Sequence, residues 1–212
     1  MTTLEIKIKN HNFILHPSGA VFWKAYGLLL ISDVHFGKIS HFRKHGVAVP
    51  EEAIGKNFEQ LTAVVAYFNP GTILFLGDLF HSSLNREWNL FRNWTANCPA
   101  DCILIAGNHD IIDRIHYEAI EIRVCDEMII DGFLLTHHPE ERLGYYNFSG
   151  HVHPGVQLKG IGRQFLNLPC FFRKEHQIIL PAFGAFTGKH ILAPSETDVV
   201  YAVTKDAVIL VV

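Results

Sequence analysis

The chain has 212 residues, of which 49% are hydrophobic and 18% charged, and its net charge is −3 with histidine neutral. That apolar share supports a large core and gives no sign of disorder. The slight negative balance excludes a general basic sheath for nucleic acid, although bound divalent cations can supply positive charge locally.

Histidine is the compositional outlier, at 14 residues. The four cysteines, Cys98, Cys102, Cys125 and Cys170, form no C-x-x-C pair and read as reduced core thiols. The N-terminal stretch lacks the apolar segment of a signal peptide, and no apolar run approaches the ~20 residues of a bilayer span. The expectation is a soluble, cytoplasmic protein with no membrane association.

In chain order, LEIKIKN alternates with period two, HPSG reads as a turn, and AVFWKA resumes the alternation, which predicts short strands. GLLLISD (27–33) is a continuous apolar run ending in a polar residue, the pattern of a strand buried on both faces with its C-terminal end emerging at a site. Pro50 suits the first turn of a helix reaching Phe68, with Ile54, Phe58, Leu61, Val65 and Phe68 on one stripe and NPG as its stop. TILFLGD (72–78) is a second buried strand. Leu84, Trp88, Phe91 and Trp94 form another amphipathic stripe, CILIAGN (102–108) a third buried strand, and residues 110–117 a short helix. The remainder is strand-rich: IEIRV, MIID, GFLLTHH, GVQLKG, QFLNLPCFF, HQIIL, VVYAV and AVILVV.

Alternating β-α units followed by a strand-rich half predict an α/β fold with two packed sheets and helices outside. No repeat, low-complexity tract or linker interrupts the chain, so residues 1–212 are expected to form a single domain.

The ends of the buried runs carry the chemistry. They are SDVHFG with Asp33 and His35, GDLFH with Asp78 and His81, GNHD with Asn108, His109 and Asp110, THHP with His137 and His138, and GHVHPG with His151 and His153. Each cluster alone reads more simply as turn or helix-cap chemistry. Five in succession at strand ends are not independent accidents. Imidazole nitrogens with carboxylate and amide oxygens form a set suited to Mn²⁺, Fe²⁺ or Zn²⁺, with no thiolate to bias the choice. So many such groups exceed one ion's needs and suit two, a pair ~3.5–4 Å apart sharing a carboxylate. The accompanying glycines fit a backbone that must pass close to a crowded centre.

The ordered series Asp33-Val34-His35, Gly77-Asp78, Gly107-Asn108-His109-Asp110, His137 and Gly150-His151-Val152-His153 resembles the calcineurin-like metallophosphoesterase superfamily. The flanking text LLLISDVHFGK, FLGDLFHS and LTHHP is most similar to the bacterial DNA-ligase-associated branch, whose members are encoded beside a ligase and a helicase and assigned to DNA repair.

The resemblance implies the metallophosphoesterase α/β/β/α sandwich and a role for each position. Asp33, His35 and His153 would hold one metal, Asn108, His137 and His151 the second, with Asp78 bridging. His109 would stay off the metals and serve the phosphate and leaving group, with Asp110 orienting it. His137 is preferred over His138 because it directly ends the run FLL while Pro139 bends the chain away. His81 reads as a group beside the ligands or against substrate. Lys38, Arg43, Lys44 and His45, in the stretch after the first ligand pair, could reach the phosphates of an entering strand; a solvated basic loop is the plainer alternative.

The expected cofactor is a pair of divalent metal ions, manganese first, with iron, zinc or magnesium as alternatives. The expected activity is phosphodiester hydrolysis in single-stranded or nicked DNA, with a ligase and a helicase as possible partners. A small-molecule phosphoesterase acting on cyclic nucleotides, dinucleoside polyphosphates or pyrophosphate-linked sugars would use the same metals. A chain this short has little room for an insertion enclosing a small substrate, which suits a polymer. A non-catalytic scaffold should have eroded ligands, and here every position is filled.

Overall fold

The computed structural model describes residues 1–38, 40, 52–185 and 187–212. Strands β1 (Leu4–Ile8), β2 (His11–Leu15) and β3 (Val21–Trp23) form an antiparallel meander leading into β4 (Leu28–Ile31). From β4 the sheet turns parallel through β5 (Thr72–Leu76), β6 (Asp101–Ile105) and β7 (Arg123–Cys125), giving seven strands in sequence order. The crossovers carry helices α1 (Glu52–Phe68), α2 (Arg86–Thr95) and α3 (Arg114–Glu118).

The second sheet is built from β8 (Met128–Ile130), β9 (Phe133–Leu135), β10 (Tyr146–Ser149), β11 (Pro154–Lys159), β12 (Phe165–Arg173), β13 (Gln177–Ile179) and β14 (His190–Ile191). Its order is β14-β11-β12-β13-β10-β9-β8, with β15 (Val199–Val203) paired to β12 and to β16 (Val208–Leu210). Here β10 runs parallel to both β9 and β13.

Alternation assigns each central side chain to a layer. Leu28 and Leu30 of β4, with Leu74 and Leu76 of β5, point between the sheets against Phe133, Leu135, Phe148, Phe171 and Ile178. Their neighbours Leu29, Ile31, Ile73 and Phe75 point the other way, against Leu61, Val64 and Val65 of α1 and Trp88 and Phe91 of α2. The two-layered sandwich expected from the sequence is therefore the fold found. Helices α1, α2 and α3 all cover the first sheet; the outer face of the second packs Val156, Cys170, Phe172 and Val200 under Leu192 and Val211, which are not helical.

The local differences have identifiable causes. Leu84 stands before the second helix and is 45% exposed, because Asn85 is the cap: its Oδ1 accepts from the N–H groups of Glu87 and Trp88 at 2.7 and 3.2 Å. The short third helix begins at Arg114 behind an Asp113 cap, since Gly107–Asp110 is used as loop. Strand β10 shows no clean alternation because all four of its residues are buried. Pro50, like Arg43, Lys44 and His45, lies outside the described residues. No helix among the described residues is long and apolar enough to cross a membrane.

His16, 5% exposed, joins the end of β2 to α1. Its Nδ1 accepts from the Ser18 N–H at 3.0 Å, and its ring lies 5.1 and 5.5 Å from those of Tyr67 and Phe68. Burial, reinforced by the N-terminal ammonium, lowers its pKa to about 4. The unfolded chain therefore binds this proton near pH 6.5 and the native chain only near pH 4, so stability falls as pH drops across that window. Urea melts at pH 4.5–7 should show a shallower acid-side loss in His16→Asn than in wild type, by up to ~1.4 kcal/mol per pH unit. Parallel pH profiles for the two proteins would refute a buried neutral imidazole.

Candidate metal centre

All five clusters meet at one edge of the sandwich, beyond the C-terminal ends of parallel strands, where α/β sheets gather their functional groups. β4 delivers Asp33 and His35, β5 delivers Asp78, β6 delivers Asn108 and His109, β9 delivers His137 and His138, and β10 delivers His151 and His153. The first two loops continue the strand pairing. Asp33 N–H donates to Gly77 O at 3.2 Å, His35 N–H to Asp78 O at 2.9 Å, and Phe36 N–H to Leu79 O at 2.9 Å.

The backbone bends sharply to aim these side chains. Asp33, His35, Asp78, His151 and His153 all have positive φ, between 50° and 66°, a region L-residues seldom occupy and one costing on the order of 1–3 kcal/mol each. Glycine is required beside them. A Cβ on Gly77 would strike the His137 ring, one on Gly107 would meet Asp78, and one on Gly150 would meet Ser32 and the Asp33 carboxylate.

The donor atoms converge as two sets. In one, Asp33 Oδ1 lies 3.1 Å from His153 Nε2, the Nε2 atoms of His35 and His153 are 3.2 Å apart, and His35 Nε2 is 4.0 Å from both Asp33 Oδ1 and Asp78 Oδ2. In the other, His137 Nε2 lies 3.0 Å from Asn108 Oδ1, 3.2 Å from His151 Nδ1 and 3.4 Å from Asp78 Oδ1. Asp78 thus gives one oxygen to each set. Ligands ~2.1 Å from one ion stand ~3.0 Å apart at right angles and ~3.4 Å apart at tetrahedral angles, the range of these separations apart from the two of 4.0 Å at His35.

Hydrogen bonding fits cations better than it fits mutual pairing. His137 Nδ1 is 2.9 Å from Leu76 O, so the ring donates there and turns Nε2 toward the oxygens of Asn108 and Asp78, the orientation of a metal-ligating imidazole. Asp33 Oδ1 is fully buried and accepts no hydrogen bond, while its Oδ2 accepts from His151 N–H at 3.0 Å. Burial, then Lys38 and the surrounding imidazoles, lowers the His35 pKa to about 2, and burial lowers those of His151 and His138 as well. His35, His138 and His151 are thereby disfavoured as cations beside the two buried carboxylates, and a buried charge needs a counter-ion.

His138 is exposed, but its donor atom lies within 4.8 Å of those of His137 and His151, so it too can reach that side. His137 is 2% exposed and occupies the centre of the set. His109 stands apart: its backbone N–H donates to Asp78 Oδ1 at 2.9 Å, while its ring is 4.5 Å from that of His81 and 5.8 Å from that of His35.

Asp110 is turned toward the backbone instead of the His109 ring. Its oxygens accept from Phe80 and Gly107 N–H, both at 2.9 Å, which ties the loop of Asn108 and His109 to the loop of Asp78. Burial raises its pKa to about 6 against the pull of those two bonds. Lys38 is half-buried, with a pKa lowered by burial and held up by Asp33 and Asp78.

Two supports were not anticipated from the sequence. Glu87, 2% exposed, accepts from Gly37 N–H at 2.7 Å and Ser40 Oγ at 2.6 Å, anchoring the turn that carries Lys38. Asn57 on α1 donates to Val34 O at 3.4 Å and accepts from Ala185 N–H at 3.1 Å. The available signal for Asn57 was an amide on an apolar stripe. Glu87 looked like an ordinary acid in a helix's first turn.

The family model described as calcineurin-like phosphoesterase matches residues 27–180. The nuclease MPE of Pseudomonas putida has a similar structure, at 26% identity and a TM-score of 0.79, covering 99% of this chain and 100% of that one. A protein of unknown function from Aquifex aeolicus is 22% identical with a TM-score of 0.42, covering 59% of this chain and 78% of that one. No curated protein matches significantly.

The crowding at Gly77 gives a direct test. Gly77→Ala should fold but bind Mn²⁺ ~10–100-fold more weakly by titration calorimetry, because His137 must move. Gly71→Ala, with open space at its Cβ, is the control. Equal metal affinity in both variants would mean that His137 is not held where the metal needs it.

Proposed function

The chain belongs to the calcineurin-like phosphoesterase family and is a metal-dependent phosphoesterase; from that premise we propose that it is a two-metal nuclease whose substrate is DNA. The observation that carries this reading is Asp78, whose two oxygens face separate ligand sets. The full-length likeness to a nuclease supports the choice of substrate. Residues 1–212 act as one domain in this reading, and manganese is the ion that best suits the oxygen-and-imidazole donors.

Asp33, His35 and His153 would hold one ion and Asn108, His137 and His151 the other, with Asp78 shared. Bound there, the pair supplies Lewis-acid activation of water and neutralises charge on the phosphoryl group. The protein's own part is positional. Left-handed backbone at five of the seven ligands aims them inward, and Leu76 O holds the His137 ring in one tautomer.

As water adds to phosphorus in line, the ester P–O bond on the far side breaks. His109, off the ligand sets and on the solvent side, donates a ring proton to the departing oxygen. Asp110 keeps the His109 loop in register through Phe80 and Gly107. Association with a DNA ligase and helicase, and a role in DNA repair, extend the same reading.

A Mn²⁺-supplemented assay comparing single-stranded, nicked and duplex DNA with bis-p-nitrophenyl phosphate tests the substrate. Cleavage of the small diester alone would sink the nuclease assignment. Asp78→Asn should lose nearly all turnover and bind less metal, since the bridge loses its charge; retained Mn-dependent turnover contradicts a shared carboxylate. His109→Ala should keep both metals yet lose ~10²–10⁴-fold in kcat. A drop in bound metal would instead make His109 a ligand.

A further inference from the structure

Strands β11 and β12 form a hairpin that leaves the metal centre directly, since β11 begins at Pro154, the residue after His153. The base of the hairpin is built into the second sheet, but its outer part is uncovered. Phe165 is 58% exposed, Leu166 56% and Ile161, at the tip, 97%. The tip closes through Gly160 N–H to Gln164 O at 2.8 Å, and Lys159 pairs opposite Phe165.

Register separates the two faces. Val156, Leu158, Leu166 and Leu168 share the face that continues into the packed cluster around Cys170 and Phe172. The other face carries Lys159 with Phe165 and Gln157 with Asn167, the latter pair hydrogen-bonded at 3.0 Å. Two residues further along that face are Pro169 and then Phe171, which is buried between the sheets. The exposed cation, aromatic ring and amides therefore continue the face that looks toward the first sheet, on a strand that starts beside His153. At the base of the hairpin, a cavity of about 190 Å³ lined by His153, Pro154 and Pro169 opens toward Pro181–Ala185 and Lys189.

Charge marks this flank as a surface for an anion. The chain as a whole is net negative, yet the ribbon from Pro154 to Phe172 contains no aspartate or glutamate and carries Lys159 and Arg163, both exposed, at its outer end. Hairpin-to-hairpin pairing of two copies would set Lys159 and Arg163 against their own equivalents, which disfavours a second copy as the occupant. An aromatic ring beside a cation on a projecting ribbon is the combination that holds a single nucleic-acid strand, bases stacking on the ring and phosphates meeting the cations.

We propose that the β11–β12 ribbon is the strand-binding arm of the enzyme, with Phe165 stacking a base and Lys159 and Arg163 holding phosphates of a single strand whose scissile bond lies at the metal centre. This rests on the nuclease reading above. From Pro154 to Lys159 the ribbon extends ~17 Å, at ~3.3 Å per residue. A dinucleotide at the centre falls short of its outer part; an oligonucleotide of about a dozen residues spans it.

The test measures binding and cleavage separately on the full chain. Phe165→Ala should weaken binding of a twelve-nucleotide single strand about 5- to 100-fold by fluorescence anisotropy, the usual cost of one lost stacking platform. Lys159→Ala with Arg163→Ala should reduce the slope of log Kd against log salt by ~1.4, for two phosphate contacts. Hydrolysis of a dinucleotide and of bis-p-nitrophenyl phosphate reports whether the metal centre is intact. In Phe165→Trp, the added indole should be quenched by the twelve-mer.

Unchanged twelve-mer binding and KM in Phe165→Ala overturn the arm while leaving the nuclease reading intact. Binding that depends on Phe165, with no cleavage of any DNA by the wild type, overturns the nuclease reading and leaves the arm. A wild-type dimer converted to monomer by Phe165→Ala in sedimentation would make the ribbon a self-interface and overturn the proposal.

Discussion

The rest of the site depends on two buried carboxylates, with Lys38 as the lysine whose charge they support among the described residues. Asp33 is fully buried and Asp78 is 2% exposed, at the ends of adjacent parallel strands. Three of the imidazoles around them are poor cations: burial, then Lys38 and neighbouring imidazoles, hold His35 far below its usual pKa, and burial lowers His138 and His151 too. Two buried carboxylates, imidazole nitrogens and the Asn108 amide oxygen facing one space form a donor arrangement whose natural complement is a divalent cation.

Holding that arrangement is costly, and the fold disperses the cost. Left-handed backbone at five candidate ligands is tolerated because parallel pairing continues past the strand ends, from Asp33 to Gly77 and from His35 to Asp78. The segment after β13 presses on the same loop, with Phe183 and Gly184 N–H donating to Ser32 O and Asp33 O. Gly77, Gly107 and Gly150 are the positions where one backbone passes against a ligand of another strand. Strain here is the geometric consequence of bringing five strand ends to one centre.

Much of this was legible before folding. Continuous apolar runs at β4, β5 and β6 meant strands buried on both faces, and both faces are indeed covered, by the second sheet and by helices. Polar residues at the ends of those runs marked the site, because a buried run that ends in Asp or His must be leaving the core for a reason. The Leu84 boundary, the start of the third helix and strand β10 escaped detection, since caps and full burial erase the periodicity on which such readings depend. Glu87 and Asn57 were harder still. Their partners, Gly37, Ser40, Val34 and Ala185, lie 23 to 128 residues away, and no local pattern encodes such contacts.

By itself, the sequence determined the sandwich class, the strand ends that carry the chemistry, and the donor set of histidine, aspartate and asparagine. Those follow from hydrophobic period and ligand chemistry, both local properties. Only the tertiary structure decided which donors face one another: His35 with His153, His137 with Asn108 and His151, Asp78 between them, and Asp110 spent on Phe80 and Gly107 instead of the His109 ring. It also decided that the hairpin after His153 stands clear of the body with a cation and a ring exposed. Those outcomes depend on sheet order and strand register, which are set by the packing of the whole chain.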